Sequence, residues 1–240
     1  MNNEILEYIN KDKLQRDTAI EIAKSILDEY SLPPKTSGFI NYTYRLSDTT
    51  IAKFQPWLQH SNTHKTLLNK EAMFNIKQMN AIAPDGVGCE LGVFEGGVSK
   101  MLMSLGRKMI CFDTFEGIIG SQEIDLLKNG EFCTKNEQEV REYLKDAIIV
   151  KGDIMDTLSK IVLIDQIAFV HLDMDVYEPT KYALDTLWPQ LKSGGVIILD
   201  DYGVWCTPGI KIAVDNFITE NGGNIKKIYF PTGQIALIKD

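Results

Sequence analysis

At 240 residues, 44% hydrophobic and 24% charged, the chain is long enough for one well-buried α/β domain with a modest N-terminal addition and too short for two catalytic domains. Its net charge of -8 excludes the basic surface that neutralises nucleic-acid phosphates and favours a small-molecule partner. MNNEILEYINKDKLQRD lacks the apolar run of a signal peptide, and no window approaches the roughly 18 apolar residues of a membrane span, so a soluble, cytoplasmic protein without a membrane partner is expected.

The first periodic signal runs from Asp17 to Tyr30, where Ile20, Ala23, Ile26, Leu27 and Tyr30 recur at helical spacing. Asp17 or Thr18 can cap its start, and Pro33-Pro34 ends it. Residues 35–61 carry aromatics (Phe39, Tyr42, Tyr44, Phe54, Trp57) with few periodic signals and form a candidate lid; Leu67–Ile82 then reads as a second helix. His60 and His64 fall in this lid region, where a surface position is the default and catalysis the minor alternative. Residues 1–83 thus read as an N-terminal helical extension and residues 84–240 as the core.

Beyond Pro84 the texture changes to short apolar runs, each followed by glycines or polar residues and then a helical pattern, as in a parallel sheet flanked by helices. The predicted strands are Val87–Leu91, Lys108–Phe112, Ala147–Lys151, Ile167–Leu172 and Val196–Leu199. The tail differs. Ile225–Phe230 and Gln234–Lys239 are separated only by Pro231-Thr232-Gly233, too short for a helical crossover, so this pair is antiparallel. The fold class is therefore α/β, a mostly parallel sheet with a C-terminal antiparallel hairpin. Cys89, Cys111, Cys133 and Cys206 show no C-x-x-C spacing and read as reduced thiols, while Met101, Met103 and Met109 read as core filling.

The chemistry gathers at predicted strand ends. Glu90-Leu91-Gly92-Val93-Phe94-Glu95-Gly96-Gly97 is a strand-to-helix turn whose glycines let the backbone approach a ligand, although many α/β proteins carry such a turn without one. Cys111-Phe112-Asp113 puts a carboxylate where a nucleoside's ribose hydroxyls would sit, and Val150-Lys151-Gly152-Asp153-Ile154 puts polar groups beside an adenine edge. Glu90 lies inside the turn, where its charge must be met by backbone amides or by the ligand. Two further strands end in aspartate pairs, Asp173 with Asp175 and Asp200 with Asp201. Each pair alone could be caps or loop residues. Together at adjoining strand ends they favour a divalent cation, and an all-oxygen set suits Mg²⁺ or Mn²⁺. His171, within an apolar run, reads as a core histidine.

Six motifs then carry a resemblance from about Gly86 to Phe217: Glu90 to Gly97, Phe112-Asp-Thr-Phe-Glu-Gly117, Gly130-Glu-Phe132, Gly152-Asp-Ile-Met-Asp-Thr157, Leu172-Asp-Met-Asp-Val-Tyr-Glu-Pro-Thr180, and Gly194 to Gly203 with Gly209 to Val214 following. In these the chain resembles the macrocin O-methyltransferase (TylF-type) family of sugar O-methyltransferases. The resemblance implies a class I methyltransferase (Rossmann-like) sheet and S-adenosyl-L-methionine as cofactor. It assigns cofactor contacts to Glu90, Gly92 and Asp113, with Asp153 and Ile154 near the adenine; Phe94, Glu95, Ser99 and Thr114 complete the cofactor-binding set. It makes Asp173, Asp200 and Asp201 magnesium ligands and Asp175 the catalytic base. The implied acceptor is a hydroxyl of a small sugar or glycoside, and a homo-oligomer stays open. The chain departs from the pattern at Glu95, where a basic residue is usual, at Val98, which moves the serine to Ser99, at Met174 and at Pro179. A catechol-like acceptor, a non-catalytic S-adenosylmethionine-binding module and a nicotinamide oxidoreductase are the rival expectations.

Overall fold

A computed structural model describes residues 42–45, 51–54, 65–134, 136–160, 166–221 and 225–240. One compact unit ends at Gln59 and a second begins at His60. The predicted helix Asp17–Tyr30, His60 and His64 lie outside the described residues. Within the first unit, β1 (Tyr42–Arg45) pairs antiparallel with β2 (Ile51–Phe54), Tyr42 opposite Phe54. These strands fall where the sequence suggests only a lid; the alternation of aromatic and β-branched residues in Tyr42-Thr43-Tyr44 suits a strand and is too short to register as a period.

The second unit opens with α1 (Lys70–Ile82), whose N-cap Asn69 accepts the Ala72 amide at 2.8 Å. It buries Ala72, Ile76 and Met79, and Ile76 and Met79 share a core with the sheet. The sequence puts the extension's boundary at residue 83, whereas α1 packs as part of the sheet's own unit. Then follow β3 (Val87–Leu91), α2 (Gly97–Ser104), β4 (Lys108–Asp113), α3 (Glu137–Tyr143), β5 (Ile148–Lys151), α4 (Ile154–Thr157), β6 (Ile167–Leu172), α5 (Tyr177–Leu187), β7 (Leu191–Leu199), α6 (Pro208–Glu220), β8 (Lys226–Tyr229) and β9 (Ile235–Ile238).

The seven strands lie in the order β5-β4-β3-β6-β7-β9-β8. All pairs from β5 to β7 are parallel, and β9 runs antiparallel to both β7 and β8. The sheet separates two apolar cores. On one face Cys89, Leu91, Phe112, Val170 and Leu172 meet Ala183, Leu184 and Leu187 of α5 and Val214 and Phe217 of α6. On the other, Cys111, Phe169, Val196 and Ile198 meet α1, α2 and α3. Burial on both faces is why these strands read as continuous apolar runs. The chain winds outward from β3 to β5 and then returns to start β6 on the other side of β3. The carboxyl ends of β3 and β6 therefore border the crevice where ligands bind in open sheets. No helix among the described residues is long and apolar enough to cross a membrane.

Candidate active site

The glycine turn after β3 and the acidic turn after β6 are joined directly. The Asp173 amide donates to the Leu91 carbonyl at 2.9 Å, and Gly92, at φ +86°, presses its bare Cα on Asp173, so that a Cβ there would overlap the Asp173 carbonyl. Only glycine meets both demands. Gly92→Ala is expected to cost about 1–3 kcal/mol of stability from overpacking and left-handed strain, measurable by urea denaturation; an unchanged midpoint would show that the joint yields.

Asp113, at the end of β4, holds this turn. Its Oδ2 accepts the amides of Val93 and Phe94 at 2.6 and 2.8 Å, and its Oδ1 accepts that of Phe115 at 2.6 Å. Phe94 and Phe115 both sit in the left-handed region, at φ +51° and +56°, where these three bonds fix them. A carboxylate has about four acceptor positions, so roughly one is left for a ligand donor, not the two that a pair of ribose hydroxyls would need.

Beneath the turn lies a buried polar group. Glu90 is 1% exposed; its Oε2 accepts from the Ser99 hydroxyl and its Oε1 lies 3.1 Å from His171 Nδ1. A side chain from α2 and another from β6 thus meet the charge for which the sequence suggests backbone amides or cofactor. Ser99 is fully buried and also contacts Cys111 Sγ at 2.9 Å, which puts it under the turn, away from the crevice. Burial pushes the Cys111 thiol up to about 12, with the Glu90 charge adding to it, so this thiol stays neutral. His171 Nε2 is buried without a hydrogen-bond partner.

The remaining residues of the expected cofactor set are spread. Glu95 is exposed. Thr114 turns its hydroxyl to the Gly117 carbonyl at 2.8 Å and accepts the Glu116 amide. Asp153 caps α4 by accepting the Met155 amide at 2.9 Å, and Ile154 points into the core, 2% exposed.

Three carboxylates converge: one oxygen each from Asp173, Asp175 and Asp201 lies within 4.8 Å of the others. Asp175 and Asp201 occupy the left-handed region, at φ +62° and +61°, an unusual conformation that turns both side chains toward the cluster at some cost in strain. Asp200 is not in this trio; Gln234 lies near enough to oppose the rise of its carboxyl. Gln234 Oε1 accepts from Asn75 of α1 at 3.0 Å and from Thr232 at 2.9 Å, while its Nε2 is buried without a hydrogen-bond partner. Enclosure by protein, and secondly the charge of neighbouring aspartates, pushes the carboxyls of Asp173, Asp175 and Asp200 well above their ordinary value. Asp201 is raised by burial too, with Asp175 and His171 opposing. Such a cluster either retains protons or takes up a cation.

A seven-stranded sheet in this order, with a glycine turn after β3 and a ligand crevice at the switch point beside it, defines a class I, S-adenosylmethionine-dependent methyltransferase. Residues 55–229 match the macrocin-O-methyltransferase (TylF) family, and the chain belongs to that family of O-methyltransferases. It is 28% identical over 185 residues to demethyldecarbamoylnovobiocin O-methyltransferase of Streptomyces niveus, covering 65% of this chain and 68% of that one. A Streptomyces olivaceus 8-demethyl-8-(2,3-dimethoxy-alpha-L-rhamnosyl)-tetracenomycin-C 4'-O-methyltransferase is 27% identical over 165 residues, 58% of this chain and 63% of that one. Among solved structures, the O-methyltransferase NovP superposes with a TM-score of 0.64 at 25% identity, covering 75% of this chain and 83% of that one.

Gln234 and Asp125, a 1% exposed carboxylate in the loop after β4, are the site's neighbours that motif reading passes over. Neither stands in a motif. Gln234 is bonded to Asn75, 159 residues away in the chain, and Asp125 to Tyr177, 52 residues away, so only the folded contacts reveal them.

Proposed function

We propose that the chain transfers a methyl group from S-adenosylmethionine to a hydroxyl of a sugar in a small glycoside, and that it does so with a divalent cation. The observation that carries this is the convergence of Asp173, Asp175 and Asp201 one bond away from the glycine turn. Both relatives named above methylate natural products, and one has a rhamnosyl group in its acceptor's name. The donor set fits magnesium or manganese, being carboxylate oxygens in an enclosed, strongly acidic place. Asp173 and Asp201 would hold the cation, and Asp200, which stands outside the trio, would have to turn toward them to serve as a third ligand. When bound, the cation would lower the pKa of the acceptor hydroxyl, and S-adenosylmethionine supplies the methyl group.

The chain's own residues do the rest. Glu90, packed with Ser99 and His171, supports the turn from below; Asp113 fixes the amides of Val93 and Phe94 from the side and offers its remaining acceptor position to a ribose hydroxyl. Asp175 takes the acceptor's proton on its carboxylate as the oxygen–carbon bond forms and the carbon–sulfur bond breaks. Alignment of the two reacting atoms follows from the short, rigid joint between the two turns.

Methyl transfer screened over sugars, glycosides and catechols, with and without Mg²⁺, tests the reading through formation of S-adenosylhomocysteine. Turnover confined to catechols would overturn the sugar assignment. Asp113→Ala is expected to weaken S-adenosylmethionine by about 1–3 kcal/mol in calorimetry, because it frees two turn amides and removes a ligand acceptor; an unchanged affinity would place Asp113 outside the cofactor site.

A further inference from the structure

We propose that Asp125 is a positioning residue that sets the spacing between the two acidic turns. It lies in the loop that joins β4 to α3, far in sequence from either turn, and is 1% exposed. A carboxylate is buried this deeply only if specific donors hold it. Its Oδ2 accepts the Gln122 amide of its own loop at 3.0 Å, and its Oδ1 accepts the Tyr177 amide, the first of α5, at 3.0 Å.

That second bond supplies what α5 lacks. Its N-cap is Val176, which has no side chain able to accept, and α6 likewise has no side-chain cap, since the Thr207 hydroxyl turns back to the Asp201 carbonyl at 3.0 Å. The first turns of the two helices meet at Asp125. A Cβ on Gly209 would overlap Asp125 Oδ1 and come within 2.9 Å of Tyr177 Cβ. One carboxylate therefore sits at the N-terminal ends of both helices, where negative charge is favoured.

The position matters because each helix follows an acidic turn. Tyr177 is two residues beyond Asp175, whose left-handed conformation needs outside support. Gly209 is two residues beyond Thr207, which is bonded to Asp201. The far end of the same loop is tied to the glycine turn by Thr134, whose hydroxyl donates to the Phe94 carbonyl at 3.1 Å. Asp125 thus fixes the separation of Asp175 from Asp201 without touching either.

This rests on the cation reading above, and the test separates the two. Mn²⁺ binding is followed by paramagnetic resonance, and S-adenosylmethionine binding by calorimetry, in the wild type, Asp125→Ala, Asp125→Asn and Gly209→Ala. Asp125→Ala is expected to weaken Mn²⁺ about tenfold or more, as loss of a group that orients metal ligands does, with cofactor affinity held within about twofold. Asp125→Asn keeps an oxygen for the Tyr177 amide and recovers most of the loss; Gly209→Ala displaces the carboxylate and reproduces it, which carries the test if Asp125→Ala does not fold. Unchanged Mn²⁺ affinity in Asp125→Ala overturns the proposal. Equal losses in the Ala and Asn variants show that the Tyr177 bond is not what positions the turns and also overturn it, as does a parallel loss of cofactor binding. A wild-type chain that takes up no Mn²⁺ overturns the cation reading and this proposal together.

Discussion

Asp175→Asn is expected to lower turnover by about 10²- to 10⁴-fold, the usual contribution of a general base, with S-adenosylmethionine affinity unchanged. The amide nearly matches the carboxylate in shape but cannot accept a proton, so the turn after β6 should survive. Asp175 is the member of the trio best placed for this work. It stands two residues past the strand end, at φ +62°, and enclosure together with the charge of Asp201 raises its affinity for a proton. Its closeness to Asp173 and Asp201 also makes it a rival ligand. Mn²⁺ titration of the variant decides: affinity within a few-fold of wild type supports the base, whereas loss of Mn²⁺ uptake makes Asp175 a ligand and reverses the roles. Turnover near the wild-type value would put the base elsewhere, with His60 and His64 next to be replaced.

Exhaustive chelation is expected to abolish turnover and to leave a protein whose stability falls as pH rises. The carboxyls of Asp173, Asp175 and Asp200 bind protons more tightly in the folded chain than their ordinary value of 3.8 allows. For groups raised by folding, the stabilisation is fully present below the unfolded value and is lost as pH climbs through the folded ones. The slope is about 1.4 kcal/mol per pH unit for each proton that only the folded state retains. Other carboxylates oppose this at low pH, so the decline should show from mildly acidic to mildly alkaline solution. Saturating Mg²⁺ should reverse it, since a cation bound only by the folded state supplies the missing charge more effectively as protons leave. Melting curves with chelator and with Mg²⁺ provide the measurement. A chelated protein that turns over at full rate would remove the cation from the reaction, and a flat profile would show that the folded cluster retains no extra protons.

The sheet was legible because burial on both faces writes each parallel strand as an apolar run, and the three-residue break at Pro231 to Gly233 forces the hairpin. β7 is longer than its apolar run suggests, starting at Leu191. Lys192, Ser193 and two glycines hide that start from any periodicity, yet Gly194 and Gly195 exchange hydrogen bonds with Lys239, just past β9. The acidic pairs were legible as pairs but not as individuals. Adjacent residues at a strand end diverge, so Asp201 turns to Asp173 and Asp175 while Asp200 stays outside that trio. Asp113 was visible as a strand-end carboxylate, but two of its amide partners come from a turn some 20 residues earlier, and Ser99, expected at the cofactor, supports Glu90.

The contact of Gly92 with the Asp173 carbonyl bears on how such an enzyme can diversify. The glycine turn and the acidic turn meet at a seam with no space for a single methyl group, so drift in sequence cannot lengthen or shorten the distance across it. New acceptors must be accommodated at the rim, by loops that can change length while the seam keeps its dimensions. Variation among enzymes built this way should therefore collect in the loops and leave the residues of the seam alone.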